Sequence, residues 1–236
     1  MDMNFSLFQL TPEEVSAIWL SIKVGFWCVG ITSIPGVICG WLLAKKNFFG
    51  KSLLDGFFHL SLVLPPVVVG YLLLLTFGNQ GFLGKWLREM LGISIAFTWK
   101  GAVLASAVMG FPLMVRSVRL SMELVESKLE EAARTLGAGP LWVFFTVTLP
   151  LAFPGILAGL ILSFARSLGE FGATITFVSN IVGETQTLPL AIYTYTQTPQ
   201  GDKPALRLVI LSLTLAFMAL MTSEILAKRV EKLLGR

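Results

Sequence analysis

Hydrophobic residues gather in five long blocks, 15–44, 53–77, 101–118, 151–171 and 205–227, with short polar segments between them. Each block is long enough to cross about 30 Å of hydrocarbon as a helix rising about 1.5 Å per residue. The pattern predicts an all-α polytopic membrane protein with about five transmembrane helices. The first block would be roughly 45 Å long as a helix, too long for a straight crossing. Pro35-Gly36 offers it a kink, so that part of it tilts or runs along the interface. Pro65-Pro66 falls midway through the second block, where two missing N–H groups and two ring clashes predict a bend. That bend reads either as a packing kink or as a gate element.

The polar segments carry their own pattern. Thr174–Ile181 is apolar enough to dip into a bilayer, but Gly183-Glu184-Thr185-Gln186-Thr187 is too polar for a sixth crossing. Residues 172–204 therefore form a loop with a short helix near Leu188–Tyr195. The segment 119–150 is different. From Ser121, the residues Val125, Leu129, Ala132, Ala133 and Leu136 recur at helical spacing, with Glu123, Glu126, Lys128, Glu130 and Arg134 on the other faces. Gly137 is the natural C-terminal stop, and Pro140 suits the first turn of the next helix. Ala132 and Ala133 keep one face small, so that another surface can approach the backbone. Glu131 is placed to accept hydrogen bonds from the backbone after Gly137 and so to fix the angle between two helices. An ordinary amphipathic helix lying beside the membrane has the same periodicity. A docking element for a soluble partner is the other reading.

Composition adds that 55% of the 236 residues are hydrophobic and only 14% charged, beyond what a soluble core of this size needs. The net charge of +4 is no nucleic-acid signal, because the basic residues sit at block ends. With the N-terminus outside, Lys45, Lys46, Lys51, Arg116, Arg119, Lys128, Arg134, Lys228, Arg229, Lys232 and Arg236 fall inside, eleven against four outside (Lys85, Arg88, Lys100 and Lys203). This bias predicts that the 119–150 loop and the C-terminus are cytoplasmic. Asp2, Glu13 and Glu14 precede any Lys or Arg, unlike a secretory signal, so no cleavage is expected. Residues 1–236 read as a single membrane domain.

Candidate chemistry is sparse. Cys28 and Cys39 would lie about 16 Å apart along one helix, too far for a disulfide. Gly50-Lys51-Ser52 is no phosphate-binding loop, since Lys45 stands where that loop needs glycine. The chain is thus expected to be non-enzymatic, without a metal or cofactor of its own. Arg166 and Glu170 lie four apart inside the fourth block and share a helix face. They form either a neutralised structural pair or a site at which Arg166 attracts an anion. Asp55 and His59, also four apart, lie at the start of the second block, and Lys23 can snorkel outward from the first.

The run Glu131-Ala132-Ala133-x3-Gly137-x9-Val147-x-Leu149-Pro150 resembles the EAA loop of binding-protein-dependent ABC importer permeases, with Val147 where that family normally has Ile. The stretches 59–74, 134–156 and 164–180 are similar to the molybdate-transporting permeases of that family, and the similarity covers most of the chain. The resemblance implies a bacterial inner-membrane permease that works as a homodimer. It also implies an external molybdate-binding protein and two ATP-binding subunits, which bind the ATP and dock on Glu131, Ala132, Ala133, Gly137, Leu149 and Pro150. A sulfate or tungstate permease has the same architecture. A proton- or sodium-driven secondary transporter would leave the loop unexplained.

Overall fold

A computed structural model of the protein describes residues 10–233. Asp2 and Arg236, which entered the charge argument, lie outside them. Among the described residues every regular element is a helix: α1 (Pro12–Lys45), α2 (Lys51–Val63), α3 (Pro66–Phe77), α4 (Phe82–Leu91), α5 (Trp99–Glu123), α6 (Ser127–Thr135), α7 (Pro140–Val143), a π-helical turn (Phe144–Thr148), α8 (Leu149–Leu168), α9 (Gly172–Val178), α10 (Leu188–Thr196) and α11 (Asp202–Leu233).

Four stretches are long and apolar enough to span a bilayer: Pro12–Lys45, Trp99–Glu123, Pro140–Leu168 and Asp202–Leu226. The expected second span is a broken one. α2 and α3 meet at 110°, and a fifth crossing is counted only if this pair is taken together. The sharp corner follows from Pro65-Pro66. Leu64 is pushed to extended backbone before one proline, and Pro66 starts a new helix whose first N–H is not needed. Pro35, by contrast, does not interrupt α1, which runs as one helix of 34 residues.

The helices alternate in direction. Lys23 lies 3.6 Å from the centroid of the Trp99 ring, and Trp27 packs on Trp99, so α1 and α5 begin at the same end. Further along, a Cβ on Gly40 would lie 2.6 Å from Val118, so the two helices run parallel and in close contact. α8 returns antiparallel, with Ser121 Oγ donating to the Ala152 carbonyl at 2.9 Å and Ser117 Oγ to the Gly155 carbonyl at 2.7 Å. α11 begins beside the start of α1, where Arg207 meets Glu14. The start of α1 therefore lies at one end of the bundle, and α6 lies at the other. Met114, Val118, Met122, Ala152 and Ile156 fill the core toward the α6 end, and Val24, Val69, Met109, Phe177 and Val178 fill it toward the opposite end. Phe26, Ile34 and Ile38 of α1 and Leu213 and Phe217 of α11 remain exposed, an apolar exterior suited to lipid.

The polar stretch after α9 is folded inward. Thr185, Gln186 and Thr187 are buried, Thr185 Oγ1 accepts from the Ile181 N–H at 2.9 Å, and Ser21 Oγ of α1 accepts from the Leu188 N–H at 2.7 Å. These two hydrogen bonds let the turn sit against the bundle, although the buried Thr187 hydroxyl has no protein partner among the described residues. The expected helix near Leu188–Tyr195 is α10.

Candidate functional site

At the α6 end, α5 stops at Glu123 and the chain reverses over Leu124–Glu126. Val125, only 3% exposed, is drawn into the cluster with Met122, Met114 and Ala152. That burial interrupts the single helix expected from Ser121, and α6 starts instead at Ser127. Lys45 Nζ donates to the Val125 carbonyl at 3.0 Å and so holds the reversal.

α6 ends on Gly137, whose φ of +87° is the left-handed value that the sequence predicts there. The Gly137 N–H donates to the Arg134 carbonyl at 2.9 Å and the Ala138 N–H to the Ala133 carbonyl at 3.1 Å. This pair of bonds is a Schellman motif, so backbone carbonyls fix the turn in place of the Glu131 carboxylate expected from the sequence. A Cβ on Gly137 would meet nothing in this chain within 4 Å.

Glu131, Ala132 and Gly137 face outward, Ala133 is half-buried, and Leu136 is 89% exposed. Leu149, the first residue of α8, packs into the core cluster, with Pro150 beside it at the surface. Pro140–Leu168 is continuous, and its π turn ends immediately before Leu149-Pro150. A widened turn there moves the preceding carbonyls off the proline ring, which would clash with them in regular α geometry.

The buried acid of the loop is Glu130. Its Oε1 lies 3.2 Å from Lys45 Nζ and accepts from Thr148 Oγ1 at 2.7 Å. Sequence reasoning missed all three residues, because Glu130 and Glu131 cannot be told apart on a helix begun at Ser121. Glu130 and Ala133, three residues apart, share a face of α6, and with Val125 outside the helix that is the face turned to the bundle.

The other candidates meet at the opposite end of α8. Arg166 Nη1 lies 2.7 Å from Glu170 Oε2, and Glu170 Oε1 accepts from the Ala173 N–H at 2.8 Å. Glu170 is 1% exposed, so this carboxylate joins the end of α8 to the start of α9. The Pro65-Pro66 corner touches the same junction. A Cβ on Gly172 would lie 2.7 Å from Pro66 Cβ, and one on Gly70 would lie 2.6 Å from the Ala173 carbonyl. A groove of about 480 Å³ lined by Pro35, Phe58, Leu64 and Phe111 opens beside that corner. Asp55 is paired with Arg119 at 2.9 Å, and its backbone carbonyl lies 2.8 Å from His59 Nδ1.

Spanning helices that alternate in direction, with one short, largely exposed helix between two of them, describe a polytopic membrane protein. Residues 36–232 match the family of binding-protein-dependent transport system inner membrane components, and the chain belongs to that family. It is a multi-pass membrane permease. It is 58% identical to the Escherichia coli (strain K12) molybdenum transport system permease protein ModB over 96% of this chain and 99% of that one. Identity to the sulfate transport system permease protein CysT of the same organism is 37%, over 82% of this chain and 69% of that one. The fold is similar to a chain of the bacterial alginate ABC transporter solved in complex with alginate pentasaccharide-bound periplasmic protein. There the TM-score is 0.74 at 15% identity, covering 98% of this chain and 83% of that one.

Proposed function

We propose that this chain is the non-catalytic membrane subunit of an ATP-driven importer and forms the path for molybdate, with α6 as the element on which the ATP-binding subunit docks. The observation that carries the substrate is the gap between 58% identity to a molybdenum permease along nearly the whole chain and 37% to a sulfate permease. Sulfate and tungstate are tetrahedral dianions of the same charge, and a sulfate permease is the second reading. The docking role is supported by the outward face of Glu131, Ala132 and Gly137 beside a helix end closed by the Gly137 and Ala138 backbone bonds.

In this reading two copies enclose the path, two ATP-binding subunits supply the hydrolysis, and an external binding protein delivers the anion. ATP closes the pair of motor subunits, and the docked α6 helices move with them. The spans then rock until the path opens outward, and hydrolysis returns them. Arg166 and Glu170 shape the junction of α8 and α9, and the Pro65-Pro66 corner packed on it is the candidate gate.

The substrate test is transport. Deletion of the gene abolishes molybdoenzyme activity at trace molybdate, and excess molybdate restores it. Normal trace uptake with loss of sulfate assimilation instead moves the assignment to sulfate.

Orientation follows from the basic bias, with the N-terminus outside and the α6 end and C-terminus cytoplasmic. Ser127 and Val182 are exposed at opposite ends of the bundle. With Cys28 and Cys39 replaced by alanine, a cysteine at Val182 reacts with an impermeant thiol reagent in intact cells. One at Ser127 reacts only after the cells are opened. The reverse pattern overturns the orientation.

A further inference from the structure

We infer that Lys45, Glu130 and Thr148 form a polar strut that transmits displacement of α6 to α1 and α8, which makes them positioning residues for transport. The inference rests on the docking role proposed above for α6. Among the described residues no other side-chain hydrogen bond or ion pair joins α6 to the spanning helices. Leu129 and Leu136, its larger apolar side chains, are 45% and 89% exposed, and Ala132 faces outward. Without an anchor, a nine-residue helix would pivot on the segments 124–126 and 136–139 when its partner pulls on it.

Glu130 supplies that anchor. It is 8% exposed, and one carboxylate oxygen touches the ammonium of Lys45 at 3.2 Å and the hydroxyl of Thr148 at 2.7 Å. The same ammonium holds the Val125 carbonyl at 3.0 Å, on the reversal through which α5 leads into α6. Three chain segments far apart in sequence thus converge on two charged groups. Burying an ion pair costs desolvation, and an apolar pair of similar volume would hold the elements together at least as well. What the ions add is direction, because hydrogen bonds resist sliding and rotation that an apolar contact allows.

Thr148 is the last residue of the π turn, directly before Leu149-Pro150. A pull through its hydroxyl acts where the α7–α8 helix already departs from regular geometry, and single π turns are common where helices move. Lys45, at the last turn of α1, carries the same pull into the helix that packs along α5 and α8. Displacement of α6 is thereby imposed on two spanning helices together.

The test uses the whole complex, permease with its ATP-binding subunit and binding protein, in proteoliposomes. ATP hydrolysis and anion import are measured in the same vesicles, with molybdate as the probe and sulfate as a second. The Lys45→Met/Glu130→Leu double variant removes both charges and leaves an apolar pair, so insertion is retained. Its stimulated ATP hydrolysis is expected to stay within about twofold of wild type while anion imported per ATP falls roughly tenfold. Thr148→Val lowers the same ratio by about fivefold, and Thr148→Ser, which keeps the hydroxyl, restores it. An unchanged ratio in the double variant overturns the strut. So does a fall in hydrolysis and import in proportion to permease level, or a Thr148→Ser protein as impaired as Thr148→Val. Failure of the underlying docking role gives a different result, a Gly137→Asp complex that assembles and imports normally.

Discussion

A Gly137→Asp protein is expected to insert and dimerise as wild type does and to lose transport. The local conformation is already the left-handed one, at φ +87°, and aspartate adopts it more readily than most residues. The strain is about 1 kcal/mol or less, which a folded membrane protein tolerates. No atom of this chain lies within 4 Å of a Cβ at that position, so the new side chain disturbs nothing inside the subunit. It projects instead from the end of α6, beside Glu131 and Ala132, into the space assigned to the ATP-binding subunit. A new buried carboxylate without a partner costs more than about 1.4 kcal/mol, so association weakens roughly tenfold or further. Permease level, retained ATP-binding subunit and anion uptake are measured in the same cells. Wild-type uptake per inserted Gly137→Asp molecule removes α6 from the docking surface. Reduced membrane level with proportional uptake makes Gly137 a folding residue only.

The same end of the molecule shows how much could be read beforehand. Gly137 as a stop and Pro140 as a start were legible because each answers a local backbone demand, a positive φ in one case and a missing N–H in the other. The reversal at 124–126 was not, since Val125 continues the helical period of its neighbours and only the cluster around Met114 and Ala152 draws it out of line. Glu130 was hidden for the same reason. Its burial depends on Lys45 and Thr148, and no local pattern joins residues 45, 130 and 148. Pro65-Pro66 marked the corner in the second block, but no local pattern showed that Pro66 and Gly70 pack there on Gly172 and Ala173. The apolar blocks themselves were the plainest signal, because lipid permits only segments that satisfy their own backbone.

The opposite end carries the largest expected effect on stability, at Arg207. Glu14 is 1% exposed in the first turn of α1, where its Oε2 accepts from the Thr11 N–H at 2.7 Å and completes a capping box. Its Oε1 accepts from Arg207 Nε at 3.2 Å and Nη2 at 2.5 Å, so one guanidinium in the second turn of α11 closes the bundle between its first and last spans. Arg207→Met keeps an unbranched stem without the guanidinium and leaves the carboxylate buried without its cation, which should destabilise the subunit by about 3–5 kcal/mol. Glu14→Gln in the same chain removes the orphaned charge and should recover a large part of that loss, since the amide oxygen still accepts from Thr11. Unfolding in detergent, followed by tryptophan fluorescence, compares wild type, Arg207→Met and the double variant. Recovery in the double variant identifies the uncompensated charge as the cause. A double variant that unfolds as readily as Arg207→Met, or more so, places the loss in the other contacts of Arg207 and withdraws the ion pair as the clasp between α1 and α11.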